Sequence, residues 1–483
     1  MVERIKVRES LQFYIDGAWV DPIWQETLAV ENPAIEKVCG HVALGSATDV
    51  DRAVRAARQA FGGWSASSRE ERIAVLQSIA EEYRKRADDL AAAVTEEMGA
   101  PVSLAQNAQV PLALAHLSIT IEVLKSLPFA EDRGATRVAK EPIGVCGLIT
   151  PWNWPLNQIA VKVFPAIAAG CTMVLKPSEV APFSAQIFAE IMDAAGLPPG
   201  VFNMVQGDGP GVGVALSSHP DVDMVSFTGS TRAGIEIARN AAPTVKRVCQ
   251  ELGGKSPNII LDDEAFAEGV SKGIAAMMGN SGQTCAAPTR MLVPHTRMDE
   301  AIAIAADAAS AIVVGDPQGN AQMGPVVSRA QFDKIQGLIR KGIEEGATLV
   351  SGGPGRPEGL ETGYYVKPTV FAHVDNGMAI AREEIFGPVL AILGYDSVDQ
   401  AVGIANDTEY GLAAYVHAHD LDKGREIAAR LRAGLVSINQ ASDLAGPFGG
   451  YKRSGNGREW GAYGIDEYLE TKAIIGYAPE MAD

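Results

Sequence analysis

The sequence predicts an α/β protein of two large domains with a small appendage. Three observations carry that expectation. At 483 residues the chain outgrows a single hydrophobic core. From Pro142 onward, short apolar runs alternate with helical patterns, as in a doubly wound parallel sheet. After residue 285 a second series of the same kind begins.

The elements follow in order. "FYIDGAWV" reads as a short strand with an Asp-Gly turn. Arg69 to Met98 reads as one helix, with Ile73, Leu76, Ile79, Tyr83, Ala87, Leu90 and Val94 at helical spacing and Gly99 and Pro101 as stops. "IGVCGLIT", "CTMVLK", "MVSFTG" and "NIILD" are apolar runs of the buried parallel-strand type. Helical patterns separate them at Leu156 to Ala169, Ala181 to Ala195 and Ala233 to Ala241. The second series holds "TRMLVP", a helix from Asp299 to Ala311, "ATLVSGG", "PVLAILGY" and "LVSIN". Near the end, "DEYLETKAIIGYAP" alternates polar and apolar residues, as an edge strand facing a partner subunit would.

Composition narrows the function. Asp and Glu number 59 against 41 Lys and Arg, so the net charge of −18 argues against nucleic acid or an anionic membrane as partner. No apolar run is long enough for a transmembrane helix, and "MVERIKVRES" lacks the apolar core of a signal peptide. Cys39, Cys146, Cys171, Cys249 and Cys285 are odd in number and scattered, without a C-x-x-C, so neither a disulfide framework nor a metal site is expected. A cytoplasmic location follows as the default.

Cys285 stands apart from the other four. "NSGQTCAAPT" surrounds it with small and polar residues, where a structural cysteine has aliphatic neighbours. Either the corner needs a small side chain, or the sulfur does chemistry. Other motifs offer it partners. Asn153 of "TPWNWP" ends an apolar strand and is either an oxyanion donor or a helix-capping turn residue. Glu251 of "QELGGKSPN" has small neighbours that admit a ligand; a solvated surface carboxylate is the alternative. "FTGSTRAG" follows a strand and opens a helix, so Gly229 lets a phosphate approach the backbone, or simply makes a tight turn. In "LKPSE", Lys176 and Glu179 at a strand end suit ribose hydroxyls, though Glu179 also reads as an ordinary acid at a helix start. "GDGPGVGVAL" is glycine-rich but out of register for a dinucleotide fingerprint and reads as a loop.

Together, "PWNWP", "LKPSE", "FTGSTRAG", "ELGGKSPN", "GQTC", "EEIFGPV" and "PFGGYKRSGNGRE", in that order, resemble the aldehyde dehydrogenase superfamily over nearly the whole chain. One departure is Met278, where many relatives carry Phe seven residues before the cysteine. The resemblance implies a Rossmann-type NAD-binding domain (1–128 and 141–252), an α/β catalytic domain (253–442), a bridging and oligomerisation element (129–140 and 464–483) and a return segment (443–463). It implies Cys285 as nucleophile, Glu251 as general base, Asn153 as oxyanion donor and Lys162 as a buried lysine near the base. Trp152, Lys176, Ser178, Glu179, Gly229, Ser230, Glu384 and Phe386 match cofactor contacts. Trp154, Gln158, Val161, Ala286, Ser442 and Phe448 match the substrate entrance, with Trp154 and Phe448 placed to sandwich a flat or long apolar body. The implied reaction is NAD-dependent oxidation of an aldehyde to an acid by a homodimer or homotetramer. Glu179 favours NAD over NADP, because its charge repels a 2′-phosphate. Three alternatives stand beside it. A thiol hydrolase would want a His base, and none of the seven His lies in these motifs. A coenzyme A-acylating relative can dispense with Glu251, and a non-catalytic member has no need of Cys285, Glu251 and Asn153 together. The substrate expected is a bulky aromatic or medium-chain aldehyde, with an oxo-acid semialdehyde still open.

Overall fold

The structure, a computed structural model, describes residues 8–478. Its first seven-stranded sheet runs, in spatial order, Arg247–Glu251, Met224–Thr228, Val145–Ile149, Thr172–Lys176, Phe202–Met204, Phe13–Ile15 and Ala18–Val20. The strands from Arg247–Glu251 to Phe202–Met204 are parallel. The "FYIDGAWV" hairpin closes the edge antiparallel, turning at Asp16 and Gly17 with φ of 56° and 74°. Helix Pro155–Ala169 is buried along its entire length, which its lack of a polar face requires.

The second seven-stranded sheet runs Thr348–Ser351, Thr369–Ala372, Val389–Tyr395, Arg290–Pro294, Pro257–Ile260, Ala413–His417 and Leu435–Ile438. All its pairings are parallel except that of Thr348–Ser351. A small antiparallel sheet joins Leu469–Ile475, Thr136–Pro142 and Ala130–Arg133. Leu469–Ile475 lies at its edge, with Ile475 84% exposed. Another small sheet joins Arg8–Ser10, Lys37–Ala43 and Thr27–Asn32.

Three sequence expectations need correction, and one strand was not foreseen. The single helix over 69–98 is two, Arg69–Lys85 and Ala87–Met98, broken at Arg86, whose φ and ψ are −107° and 11°. Hydrophobic spacing continues across the break because both helices bury the same side, so periodicity alone missed it. "NIILD" does not continue the first series; its strand sits inside the second sheet. Strand Arg247–Glu251 went unread because "RVCQE" is half-polar, as suits a sheet edge. The "GDGPGVGVAL" loop is instead a π-helical turn, Gly209–Gly213, running into helix Val214–Ser218, with Asp208 Oδ1 accepting from the Gly211 N–H at 2.7 Å.

Register sets up the site. Ile149 pairs with Lys176 and Phe227, and Thr228 pairs with Glu251. The carboxyl ends of four parallel strands therefore finish level, and "PWNWP", "LKPSE", "GSTRAG" and "LGGKS" leave from one rim, the rim where ligands collect in such sheets.

Candidate active site

The cysteine loop is built on unusual backbone. Helix Phe266–Met278 ends, and Asn280, Ser281 and Gly282 follow with φ of 52°, 56° and 69°. Non-glycine residues there cost energy, so the surroundings must hold them. Asn280 Nδ2 donates to the Asn153 carbonyl at 2.9 Å, and Ser281 Oγ to the Gly324 carbonyl at 2.9 Å. Gln283 Oε1 accepts from the Val327 N–H at 2.9 Å. Gly282 must be glycine, since a Cβ would lie 2.2 Å from the Gly387 carbonyl oxygen. The polar, small composition around Cys285 is thus a loop that anchors itself by side chains. Cys285 remains partly exposed, whereas the other four cysteines are buried.

Asn153 sits beside it. Its Nδ2 donates to the Gln283 carbonyl at 3.0 Å, which uses one of two amide hydrogens. Gln109 Nε2 holds the Asn153 carbonyl at 3.2 Å. Trp154 Nε1 donates to Thr284 Oγ1 at 3.0 Å, fixing the residue before the cysteine.

Glu251 is 3% exposed, and among the described residues neither carboxyl oxygen has a hydrogen-bond partner. "FGGYK" explains how it fits: a Cβ on Gly449 would come within 2.7 Å of Glu251 Oε1. Behind it, buried Lys162 pairs with Glu459. Burial, and next the charge of Glu459, raise the Glu251 carboxyl well above the usual range, while Lys162 and Arg458 oppose the rise.

A cavity of about 210 Å³ joins the two large sheets' loops. Trp152, Asn153, Gly229, Ser230, Cys285, Glu384 and Phe386 all line it. Glu384 Oε1 accepts from the Gly254 N–H at 3.0 Å. Phe386 has φ of 59° and meets Trp152 edge-on, centroids 5.4 Å apart. Ser230 caps helix Thr231–Ala241, whose N-terminus is open to an anion. Lys176 Nζ lies 2.8 Å from Glu179 Oε2 at the end of its strand. Ser178 Oγ accepts from the Val180 N–H at 3.2 Å. This donor set suits a dinucleotide: a helix terminus for pyrophosphate, a lysine–carboxylate pair for ribose, and aromatic faces for a ring.

Lys176, Ser178, Glu179, Glu251 and Lys162 do not line that cavity, and neither do the residues expected at the substrate entrance. Gln158 and Val161 are buried on helix Pro155–Ala169, Ala286 is half-buried beside the cysteine, and Ser442 is exposed. Phe448 stacks on Trp460, with centroids 4.5 Å apart and planes at 18°. Trp460, His116, Gln331 and Lys334 went unread. Gln331 and Lys334 line the cavity from helix Arg329–Glu344, where polar residues resemble any solvated helix face. Arg290, next to the cysteine loop, is fully buried and donates to the carbonyls of Lys255, Ile404 and Ala405.

The model of the "Aldehyde dehydrogenase family" matches residues 19–474. The chain belongs to the aldehyde dehydrogenase family. It is 55% identical to a 3-succinoylsemialdehyde-pyridine dehydrogenase from a Pseudomonas species, over 98% of this chain and 99% of the relative. Among solved structures it is similar to a cysteine-to-alanine mutant of aldehyde dehydrogenase C from Pseudomonas syringae in complex with NAD+ and octanal, with a TM-score of 0.97, 56% identity and coverage of 100% and 99%. It is also similar to a Mycobacterium tuberculosis aldehyde dehydrogenase complexed with NAD+, with a TM-score of 0.95, 40% identity and coverage of 99% and 100%. In this aldehyde dehydrogenase, burial pushes the Cys285 thiol up to about 12, with Glu384, Glu251 and Glu459 adding to the rise. Burial and these three carboxylates disfavour the thiolate at Cys285. Among the described residues, no helix is long and apolar enough to cross a membrane.

Proposed function

We propose that this chain oxidises a medium-chain or aryl-bearing aldehyde to the carboxylic acid, using NAD, with Cys285 as nucleophile. The observation that carries the reading is one cavity shared by Cys285, Asn153 and the cofactor-facing residues Trp152, Ser230, Glu384 and Phe386. Cys285 releases its thiol proton to water, its Sγ adds to the aldehyde carbon, and the free Asn153 N–H and the Cys285 backbone N–H stabilise the oxyanion. NAD, when bound, supplies the hydride acceptor. Trp152, Phe386 and Glu384 would hold the nicotinamide and its ribose, Gly229 and Ser230 the pyrophosphate, and Lys176, Ser178 and Glu179 the adenosine ribose. Collapse of the adduct leaves an acyl group on Cys285 as a thioester. Glu251 takes a proton from water, which hydrolyses it. Lys162 pairs with Glu459 and lowers the cost of charge on Glu251.

Trp154, Gln158, Val161, Ala286, Ser442 and Phe448 are assigned to the aldehyde's approach. The octanal complex of one relative and the pyridine semialdehyde named for another support a long or aryl-bearing body. The open edge of Leu469–Ile475 supports assembly into a homodimer or homotetramer. The location we propose is the cytoplasm. Domain limits are assigned as expected, at 1–128 with 141–252, 253–442, 129–140 with 464–483, and 443–463. The test follows NADH absorbance with octanal in the wild type and in Cys285→Ala. NADH formation that survives Cys285→Ala refutes the assignment.

A further inference from the structure

Three consecutive carbonyls of the "EEIFGPV" loop are held from one helix face. Gln331 Nε2 donates to the carbonyls of Ile385 and Phe386, at 3.0 and 2.7 Å. Lys334 Nζ donates to the carbonyl of Glu384 at 2.7 Å. Both side chains lie on helix Arg329–Glu344, one turn apart. The loop needs this hold. Phe386 is in the left-handed region, a conformation that for a bulky residue persists only when its surroundings impose it. Gly387 is pressed on both sides: a Cβ there would lie 2.3 Å from Ile335, and its carbonyl abuts Gly282 of the cysteine loop.

The start of that helix is tied in turn to a distant turn. Glu36, between strands Thr27–Asn32 and Lys37–Ala43, has φ of 53° and a side chain 18% exposed. It pairs with Arg329, the first residue of the helix, and with Arg356 at 2.7 Å, and accepts from the Gly363 N–H at 2.9 Å. Arg329 also lies over the Tyr364 ring, 5.3 Å from its centroid, and the Tyr364 N–H donates to the Pro33 carbonyl at 2.9 Å. Glu36 is thus the end of a continuous chain of contacts that reaches the cofactor cavity.

We propose that Gln331 is a positioning residue for hydride transfer, holding Phe386 in place while Lys334 holds Glu384, and that Glu36 keeps their helix in register through Arg329. The proposal rests on the reading that Glu384 and Phe386 face the nicotinamide half of NAD. Misplacing reacting atoms by about 1 Å costs up to about 100-fold, so a partial release of the loop should cost about tenfold.

The test uses the full-length protein, octanal with and without deuterium at the carbonyl carbon, and stopped-flow NADH absorbance at saturating NAD. Gln331→Met keeps the length but removes the donor. It should slow the NADH burst about tenfold, with a deuterium effect on the burst, and leave ADP affinity within about twofold. Gln331→Lys restores a donor and should recover part of the rate. Glu36→Gln should act in the same direction, by about threefold, though it touches neither substrate nor cofactor. Phe386→Ala separates the two layers. If Phe386→Ala slows the burst and Gln331→Met does not, the clamp is refuted while the site reading stands. If Phe386→Ala leaves the burst unchanged, the site reading falls and the proposal falls with it. A Gln331→Met enzyme with weakened NAD affinity but a normal burst would make Gln331 a plain ligand and also refute the clamp. Thermal melting monitors folding; should Gln331→Met not fold, Glu36→Gln and its burst rate decide the matter.

Discussion

Gly254→Ala tests how tightly the "ELGGKS" turn is fitted to the nucleophile. A Cβ on Gly254 would lie 2.4 Å from the Cys285 carbonyl oxygen. An ordinary contact starts near 3.4 Å, so the two backbones must part by about 1 Å. The clash is with backbone, which cannot rotate aside as a side chain can. Gly254 also donates its N–H to Glu384 Oε1, so the same shift moves a carboxylate assigned to the cofactor. A displacement of that size at the reacting atoms costs about 100-fold, or about 2.7 kcal/mol of transition-state stabilisation. The stability cost should be about 1–3 kcal/mol, as for other overpacked sites. The assay is the stopped-flow NADH burst with octanal, with thermal melting in parallel. Gly337→Ala is the control, because nothing lies within 4 Å of a Cβ at this helical position, and it should stabilise by about 0.4–1 kcal/mol. A Gly254→Ala enzyme with a normal burst rate would refute the claim that Gly254 sets the position of Cys285.

Glu251→Gln should leave the first NADH equivalent and slow later turnover by about 10²–10⁴-fold, with acyl-enzyme visible by mass spectrometry. In the wild type, thioester hydrolysis should rise with pH through a midpoint above the usual carboxylate range, because burial and Glu459 favour the neutral acid; a profile already flat at pH 5 would contradict this. Alkylation of Cys285 by iodoacetamide without NAD should climb about tenfold per pH unit across pH 7–10, since burial pushes the thiol up to about 12, and a plateau near pH 7 would contradict it. Glu179→Gln should narrow the preference for NAD over NADP by roughly tenfold in kcat/KM, by removing a carboxylate that repels the 2′-phosphate; an unchanged ratio would remove Glu179 from the ribose site.

Much of this was legible in the amino-acid order. Apolar runs with glycine or proline at their ends marked most of the buried strands, because a strand covered on both faces must be apolar throughout. Cys285 stood out in the sequence because it sits among small and polar residues, and Asn153 because it ends an apolar strand, while Glu384 and Phe386 came only from the family resemblance. Other features came only from the tertiary structure. The sheet that takes "NIILD" depends on pairings remote in sequence, and the break at Arg86 leaves the burial pattern intact. The stacking of Phe448 on Trp460 joins residues whose separate contexts carry no sign of each other. Gln331, Lys334 and Glu36 are polar residues in polar surroundings, and only the packing of helix against loop gives them partners. The protonation of Glu251 is likewise tertiary: sequence places a carboxylate there, but burial without a hydrogen-bond partner, with Lys162 and Glu459 behind it, decides when it carries charge.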